Sequence, residues 1–236
     1  PVTGNYSELE NATVPLSEIK GYKGVVGFNL RFHSLIRQVK CIVASHQYGK
    51  VIYANLTVGH YLPSWHPYED YRDSYASRKD FGGGVIRTLC HEIDLVQHFF
   101  GKIRKVFAKV DKLSCLEIDV DDVVDIMIEA DYCKRTLIHM DYLSPIPVRE
   151  GKILFEKGLL EYSCNRGEIY FTDYVSKQNE VIFKNTEDYD EQYASQMKSF
   201  INGNSNTACM LEEGIEVMRV IQCCEESSRT REEICL

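Results

Sequence analysis

Four residues in the stretch 85–100 have the types and spacing for proton chemistry: Arg87, His91, Asp94 and His98. At about 100° per residue they form one helical stripe only about 60° wide. Ile86, Leu89, Cys90, Ile93, Val96 and Phe100 form a separate apolar stripe. Imidazole exchanges a proton near neutral pH, and a carboxylate one turn away can orient the ring or raise its pKa. His91 is therefore the first candidate for a general acid or base. Solvent exposure would explain the same polar line. A metal set of His91, Asp94 and His98 also fits the spacing, but no Cys/His cluster elsewhere completes it. Cys90 points about 100° away from His91 and reads as packing.

Such a helix needs elements around it to aim it. It follows Gly82-Gly83-Gly84, which permits backbone close to a ligand, and an aromatic and charged loop over 62–84 containing Trp65, His66, Tyr68, Tyr71 and Arg72. Upstream, the pattern predicts a strand over 23–28, a helix over 32–45 and a strand over 50–61 with Ile52, Ala54, Leu56 and Val58 on one face. After Gly101 the period changes to two, which predicts strands at 103–113, 122–131, 134–142, 152–156, 158–163, 167–175 and 180–184. Short connections imply antiparallel neighbours. Helices over 189–201 and 210–228 close the chain. The expected class is α+β, with a large, mainly antiparallel open sheet and helices packed on one face. So wide a sheet needs a cover, which predicts pairing with another copy. Residues 1–21 are a polar lead-in, with Leu16, Ile19 and Tyr22 spaced for a short helix.

Composition bounds the function. The 236 residues are 44% apolar and 26% charged, an ordinary globular balance. A net charge of −8 argues against a backbone-wide grip on nucleic acid or anionic lipid. No run approaches the roughly 18 apolar residues of a membrane span, and the N-terminus lacks a signal-peptide layout. A soluble, cytoplasmic protein with a small-molecule partner is expected. Nine cysteines without a C-x-x-C pair exclude a zinc ribbon or dithiol motif and predict reduced, mostly buried thiols.

The runs Gly27-Phe28-Asn29-Leu30-Arg31-Phe32-His33, Tyr61-Leu62-Pro63-Ser64-Trp65-His66-Pro67 and Gly82-Gly83-Gly84-Val85, then His91-Glu92-Ile93-Asp94 through Phe100-Gly101, occur in a telling order. With Leu211-Glu212-Glu213-Gly214 near the end, the chain resembles the C-terminal domain of the glucose-fructose oxidoreductase/inositol dehydrogenase (Gfo/Idh/MocA) family over nearly its whole length. The resemblance implies an NAD(P)-dependent oxidoreductase acting on a hydroxyl of a sugar or sugar derivative. It implies residues 1–22 as a lead-in from a Rossmann domain that binds NAD or NADP, and 23–236 as the substrate-binding and oligomerising domain of a homodimer or tetramer. No G-x-G-x-x-G follows a strand here, so the chain alone is expected to be inactive. His91 matches the family's catalytic histidine. Asn29, Arg31, Arg72 and Tyr75 fall in segments that line its substrate pocket, with Arg87 and Asp94 beside them. Where many relatives carry an aspartate three or four residues before the histidine, this chain has Thr88 and Arg87. A non-catalytic sugar-binding or scaffold domain of the same fold is the alternative, and a metal-dependent hydrolase-like site on His91, Asp94 and His98 is a third reading.

Overall fold

The computed structural model describes residues 24–188, 190–203 and 206–236. The lead-in, including the helix expected around Leu16 and Ile19, lies outside the described residues. The strand expected over 23–28 shortens to β1 (Val25–Val26), because the chain turns at Gly27 and Phe28: Phe28 N donates to Val26 O at 2.8 Å and Asn29 N to Gly27 O at 2.9 Å. A 3-10 turn, Asn29–Phe32, leads into α1 (Ser34–Ser45), where Leu35, Ile36, Val39, Ile42 and Val43 are buried as their spacing predicts.

Among the described residues one sheet organises the molecule. Its strands are β2 (Val51–Gly59), β3 (Ile103–Asp111), β4 (Val123–Ala130), β5 (Thr136–Asp141), β6 (Val148–Phe155), β7 (Gly158–Ser163), β8 (Glu168–Asp173), β9 (Asn179–Lys184) and β11 (Ile234–Cys235). They lie in the order β11-β3-β4-β5-β2-β6-β7-β8-β9. Neighbours are antiparallel except β2 and β5, which run parallel. That exception has a simple cause: β2, which comes earlier in the chain, is inserted between β5 and β6, so the link over 142–147 steps across its end. The separate β10 (Cys209–Met210) pairs with β1.

Alternation sets the faces. Ala54, Leu56 and Val58 of β2, Val124, Ile126 and Ile128 of β4, and Ile153 and Phe155 of β6 point into the core. Each apolar side chain fully buried in this way contributes roughly 1.5–3 kcal/mol. Ile52 departs from the expected pattern and is 51% exposed, because the register with β6 shifts between Val51 and Tyr53. The core face is covered by α1, by α3 (His91–Phe100) after a short α2 (Val85–Thr88), and by α5 (Leu211–Thr230). Between β9 and β10, α4 (Glu191–Ile201) packs on the 29–32 turn. The short β11 pairs with β3 only at Lys105 and Val106, and farther along the edge Ser227 and Ser228 of α5 accept from Ala108 N and Val110 N at 3.0 and 2.9 Å.

The opposite face carries no helix among the described residues. Phe107, Met127 and Leu137 stand side by side there in register, each half-buried. Ile126 and Met127 are neighbours in sequence that meet different worlds. Ile126→Ala is expected to lower the unfolding free energy by ~2–5 kcal/mol, measured as a shifted urea midpoint with an unchanged slope.

Candidate active site

The glycine triplet shapes the entry to α2. Gly84 has φ +108, and a Cβ there would strike the Asp121 carboxylate; at Gly83 it would strike the carbonyl oxygens of Tyr75, Ala76 and Arg78. The glycines therefore serve first to seat α2 against the 75–78 turn and Asp121. Gly82 also borders a cavity beside His91. Asp121 receives the helix start, accepting Ile86 N on its carboxylate at 2.9 Å and Val85 N on its carbonyl at 3.1 Å. The helix expected over 85–100 is broken: Leu89 leaves helical geometry at φ −100, ψ 24, and α3 starts afresh at His91. Arg87 and His91 accordingly belong to two separate helices, and both border the smaller of the two cavities at this site.

His91 forms part of the wall of two cavities. One, of about 450 Å³, is bordered by Gly27, Phe28, Phe81, Gly82, Arg87 and Cys90. The other, of about 640 Å³, is bordered by Asn29, His33, His60, Trp65, Arg149 and Asn165. Tyr75, Thr88 and His91 belong to both. The Phe28 ring meets the imidazole edge to face, with centroids 5.2 Å apart. His91 Nδ1 is a buried polar atom without a hydrogen-bond partner among the described residues. Burial, assisted by the positive charge of Arg149, pushes the His91 pKa down to about 3. The ring is thus neutral at physiological pH and a weaker base than a free imidazole.

The other residues singled out from the sequence divide. Asn29 and Tyr75 border the larger cavity, and Arg87 borders the smaller one while its Nη1 pairs with Glu225 of α5 at 2.6 Å. Arg31 and Asp94 do not line either cavity. Arg31 is 2% exposed and holds Asp94 through Nε at 3.0 Å and Nη2 at 2.7 Å, while Nη1 reaches Glu213 at 3.0 Å and Ala208 O at 3.3 Å. Burial opposes its charge, but the Asp94 bonds and charge, with Glu213, hold it protonated above the usual guanidinium range. Arg31 and Asp94, expected beside a substrate, lie in a buried strut joining the 29–32 turn, α3 and α5. Arg72 is exposed, is engaged by Asp70 at 2.6 Å and Glu117 at 2.7 Å, and borders neither cavity. The metal reading fails on the same geometry, since Arg31 occupies the Asp94 carboxylate and no metal-ligating group of three assembles among the described residues.

Sequence reasoning missed Arg149, at the start of β6, because nothing within fifty residues in sequence links it to His91. Its Nε donates to the buried Glu92 at 2.8 Å. Three histidines without an evident partner pattern also find places. His33 caps α1, accepting Leu35 N at 3.3 Å; His46 ends α1 at φ 53; and His139 sits on the open sheet face, 2.7 Å from Asp125 and 3.4 Å from Asp141. Hydrogen bonding to Asp141, against burial and helped by Asp125, lifts the His139 pKa to about 9. All nine cysteines are free, but Cys41, Cys115 and Cys235 are exposed, so the expectation of mostly buried thiols holds only for part of the set.

The C-terminal domain model of the GFO/IDH/MocA family matches residues 36–161, more than half of the chain. This protein belongs to that family. Its fold is similar to that of an NAD binding oxidoreductase from Klebsiella pneumoniae, with TM-score 0.82, 16% identity, and coverage of 98% of this chain and 71% of that one. An oxidoreductase domain protein from Kribbella flavida is similar at TM-score 0.80 and 16% identity, with the same coverages of 98% and 71%. Levoglucosan dehydrogenase, solved with NADH and levoglucosan, is similar at TM-score 0.78 and 15% identity, covering 90% of this chain and 66% of that one. The chain spans 63% of the length of a further similar oxidoreductase, from Thermotoga maritima. No curated protein matches by sequence.

Two histidines provide a direct check by imidazole NMR, assigned with His→Gln variants. His91 is expected to show no titration between pH 5 and 8, and His139 to stay protonated until about pH 9. The stability terms run oppositely. His91 destabilises the fold progressively as pH falls from 6.5 toward 3, whereas the His139 contribution is full below 6.5 and fades as pH rises through 9. Separately, Arg31→Met alone is expected to cost ~3–5 kcal/mol by stranding Asp94, and Arg31→Met with Asp94→Leu much less, compared by chemical denaturation.

Proposed function

We propose that this chain is the substrate-binding and oligomerising domain of an NAD(P)-dependent oxidoreductase that acts on a hydroxyl of a sugar or sugar derivative in the cytoplasm. Residues 1–22 then lead in from a nucleotide-binding domain. The observation that carries this reading is the neutral imidazole of His91 in the common wall of two cavities. The smaller cavity, with flat Phe28 and Phe81 near small Gly27 and Gly82, fits the nicotinamide end of the cofactor. The pyrophosphate has no glycine-rich cradle in this sequence. When bound, NAD(P) supplies the hydride acceptor.

The chain's own residues do the rest. Asn29 offers an amide to hydroxyl groups, and Trp65 gives a sugar ring an aromatic wall. His91 takes the hydroxyl proton as the carbon loses its hydride, so an alcohol becomes a carbonyl and an imidazolium is left to pass its proton to water. Burial and Arg149 disfavour that imidazolium, so the abstraction draws its driving force from hydride loss at the same carbon rather than from the basicity of the ring. A second reading, a non-catalytic sugar-binding domain, draws on Thr88 and Arg87, which leave no carboxylate three or four residues before His91.

The reactions separate in the protein that joins this chain to a nucleotide-binding domain. NAD(P)⁺ reduction by a sugar panel is expected, with His91→Gln lowering kcat by roughly 10²–10⁴ and leaving sugar binding in place. Sugar binding without any cofactor reduction would favour the second reading. The half-buried row of Phe107, Met127 and Leu137 supports pairing of the open sheet face with another copy. Sedimentation is expected to show a dimer or tetramer that Met127→Lys weakens.

A further inference from the structure

The start of the aromatic loop carries more flat rings than the larger cavity uses. His60 and Trp65 border that cavity, with ring centroids 5.6 Å apart. His66 and Tyr68 are not among its lining residues, yet they continue the row. The Trp65 and His66 planes lie within 4° of each other with centroids 5.8 Å apart, so both rings present a face in the same direction. Tyr68 follows at 5.4 Å from His66, tilted by 46°. Exposure rises along the row. Tyr142, 6.2 Å from Trp65, is fully buried; Trp65 and His66 are half-buried; Tyr68 is 81% exposed. The row therefore runs from the core, through the cavity wall, into solvent.

Single aromatic side chains at a surface need no explanation, but a row continuous with a cavity has the pattern of a binding surface. The row is also held in place. His60 N donates to Asp141 O at 3.1 Å and Leu62 N to Tyr142 O at 3.0 Å, which fastens the loop to the end of β5. Trp65 N donates to Leu62 O at 3.1 Å and Glu69 N to His66 O at 3.1 Å, so the backbone on either side of the rings is turned and tied. Tyr68 Oη and His66 Nδ1 share a hydrogen bond of 3.0 Å. Rings fixed beforehand lose little freedom when a ligand settles on them. Their faces are electron-rich and attract the C–H bonds on the flat side of a sugar ring, while imidazole and phenol add polar rims for hydroxyl groups. A purely apolar ligand would leave those rims unused.

Resting on the reading of the larger cavity as the sugar site, we propose that the substrate is a glycoside of at least two sugar rings. The ring to be oxidised occupies the cavity beside His91, and the next ring lies on His66 and Tyr68. Tyr68 is the specificity-determining residue for that second ring, because it stands outside the cavity and touches only the outer sugar.

The test compares cellobiose and maltose with D-glucose, and lactose with D-galactose, by calorimetry on the protein that joins this chain to a nucleotide-binding domain. At least one disaccharide is expected to bind about tenfold tighter than its monosaccharide, equivalent to about 1.4 kcal/mol. Tyr68→Ala is expected to bring that disaccharide down to the monosaccharide's affinity, and Tyr68→Phe, which keeps the ring face, to retain most of the advantage. An unchanged urea midpoint checks that the exposed position was replaced without loss of the fold. Equal binding of every pair, binding of no sugar, or an advantage that survives in Tyr68→Ala overturns the proposal. Tighter binding of phenyl β-D-glucoside than of cellobiose overturns the assignment of a second sugar. Dissociation of an oligomer by Tyr68→Ala with sugar affinities untouched overturns it in favour of a subunit contact. Reduction of NAD(P)⁺ by monosaccharides with no disaccharide advantage defeats this inference and keeps the oxidoreductase reading, whereas disaccharide binding through Tyr68 without any reduction does the reverse.

Discussion

The buried pair of Arg31 and Asp94 is the contact on which the site's geometry hangs. A charge taken out of water must be matched closely, and here one guanidinium satisfies the demand from three directions: Asp94 on α3, Glu213 on α5 and the Ala208 carbonyl. Such a pair adds little net stability compared with an apolar core, but it is intolerant of displacement. Moving the 29–32 turn by a small distance would leave a carboxylate unpaired in the core. That intolerance locates Phe28, which sets the edge of the His91 ring, and Asn29, which borders the larger cavity.

Around this strut the sheet acts as a platform whose two faces differ in kind. One face is sealed by α1, α3 and α5, and the helix carrying His91 is pressed against β2, β4 and β5. The insertion of β2 between β5 and β6 brings the 142–149 segment to the same end of the sheet as α3. By this route Arg149 arrives beside Glu92 across fifty-seven residues of sequence. The other face holds a mixed row in which half-buried apolar groups alternate with charged ones.

The electrostatics of the molecule are equally divided. His91 lies where burial and a nearby cation make protonation unfavourable, whereas His139 lies between two aspartates that favour it. Two side chains of one type thus become a neutral ring and a fixed cation through their surroundings alone. The broken helix matters here as well. Before the break at Leu89, Arg87 of α2 pairs with Glu225 of α5. The second charge acting on the imidazole is then Arg149, from a distant strand.

Local pattern was enough to determine much of this architecture. Period two after Gly101 located the strands from β3 to β9, except that β6 begins at Val148 rather than at 152, since alternation is a property of adjacent residues, and the glycine triplet with His91-Glu92-Ile93-Asp94 pointed to the family. It could not determine pairing across the chain. Arg31, Asp94 and Arg72 have side chains suited to a ligand, yet each is claimed by protein carboxylates or a guanidinium that only folding brings near. Arg149 showed the reverse, a position with no local signal made into cavity wall by strand order. Residue types and spacing determine what a group can do chemically; tertiary structure decides which groups remain available, because charges buried together satisfy each other first.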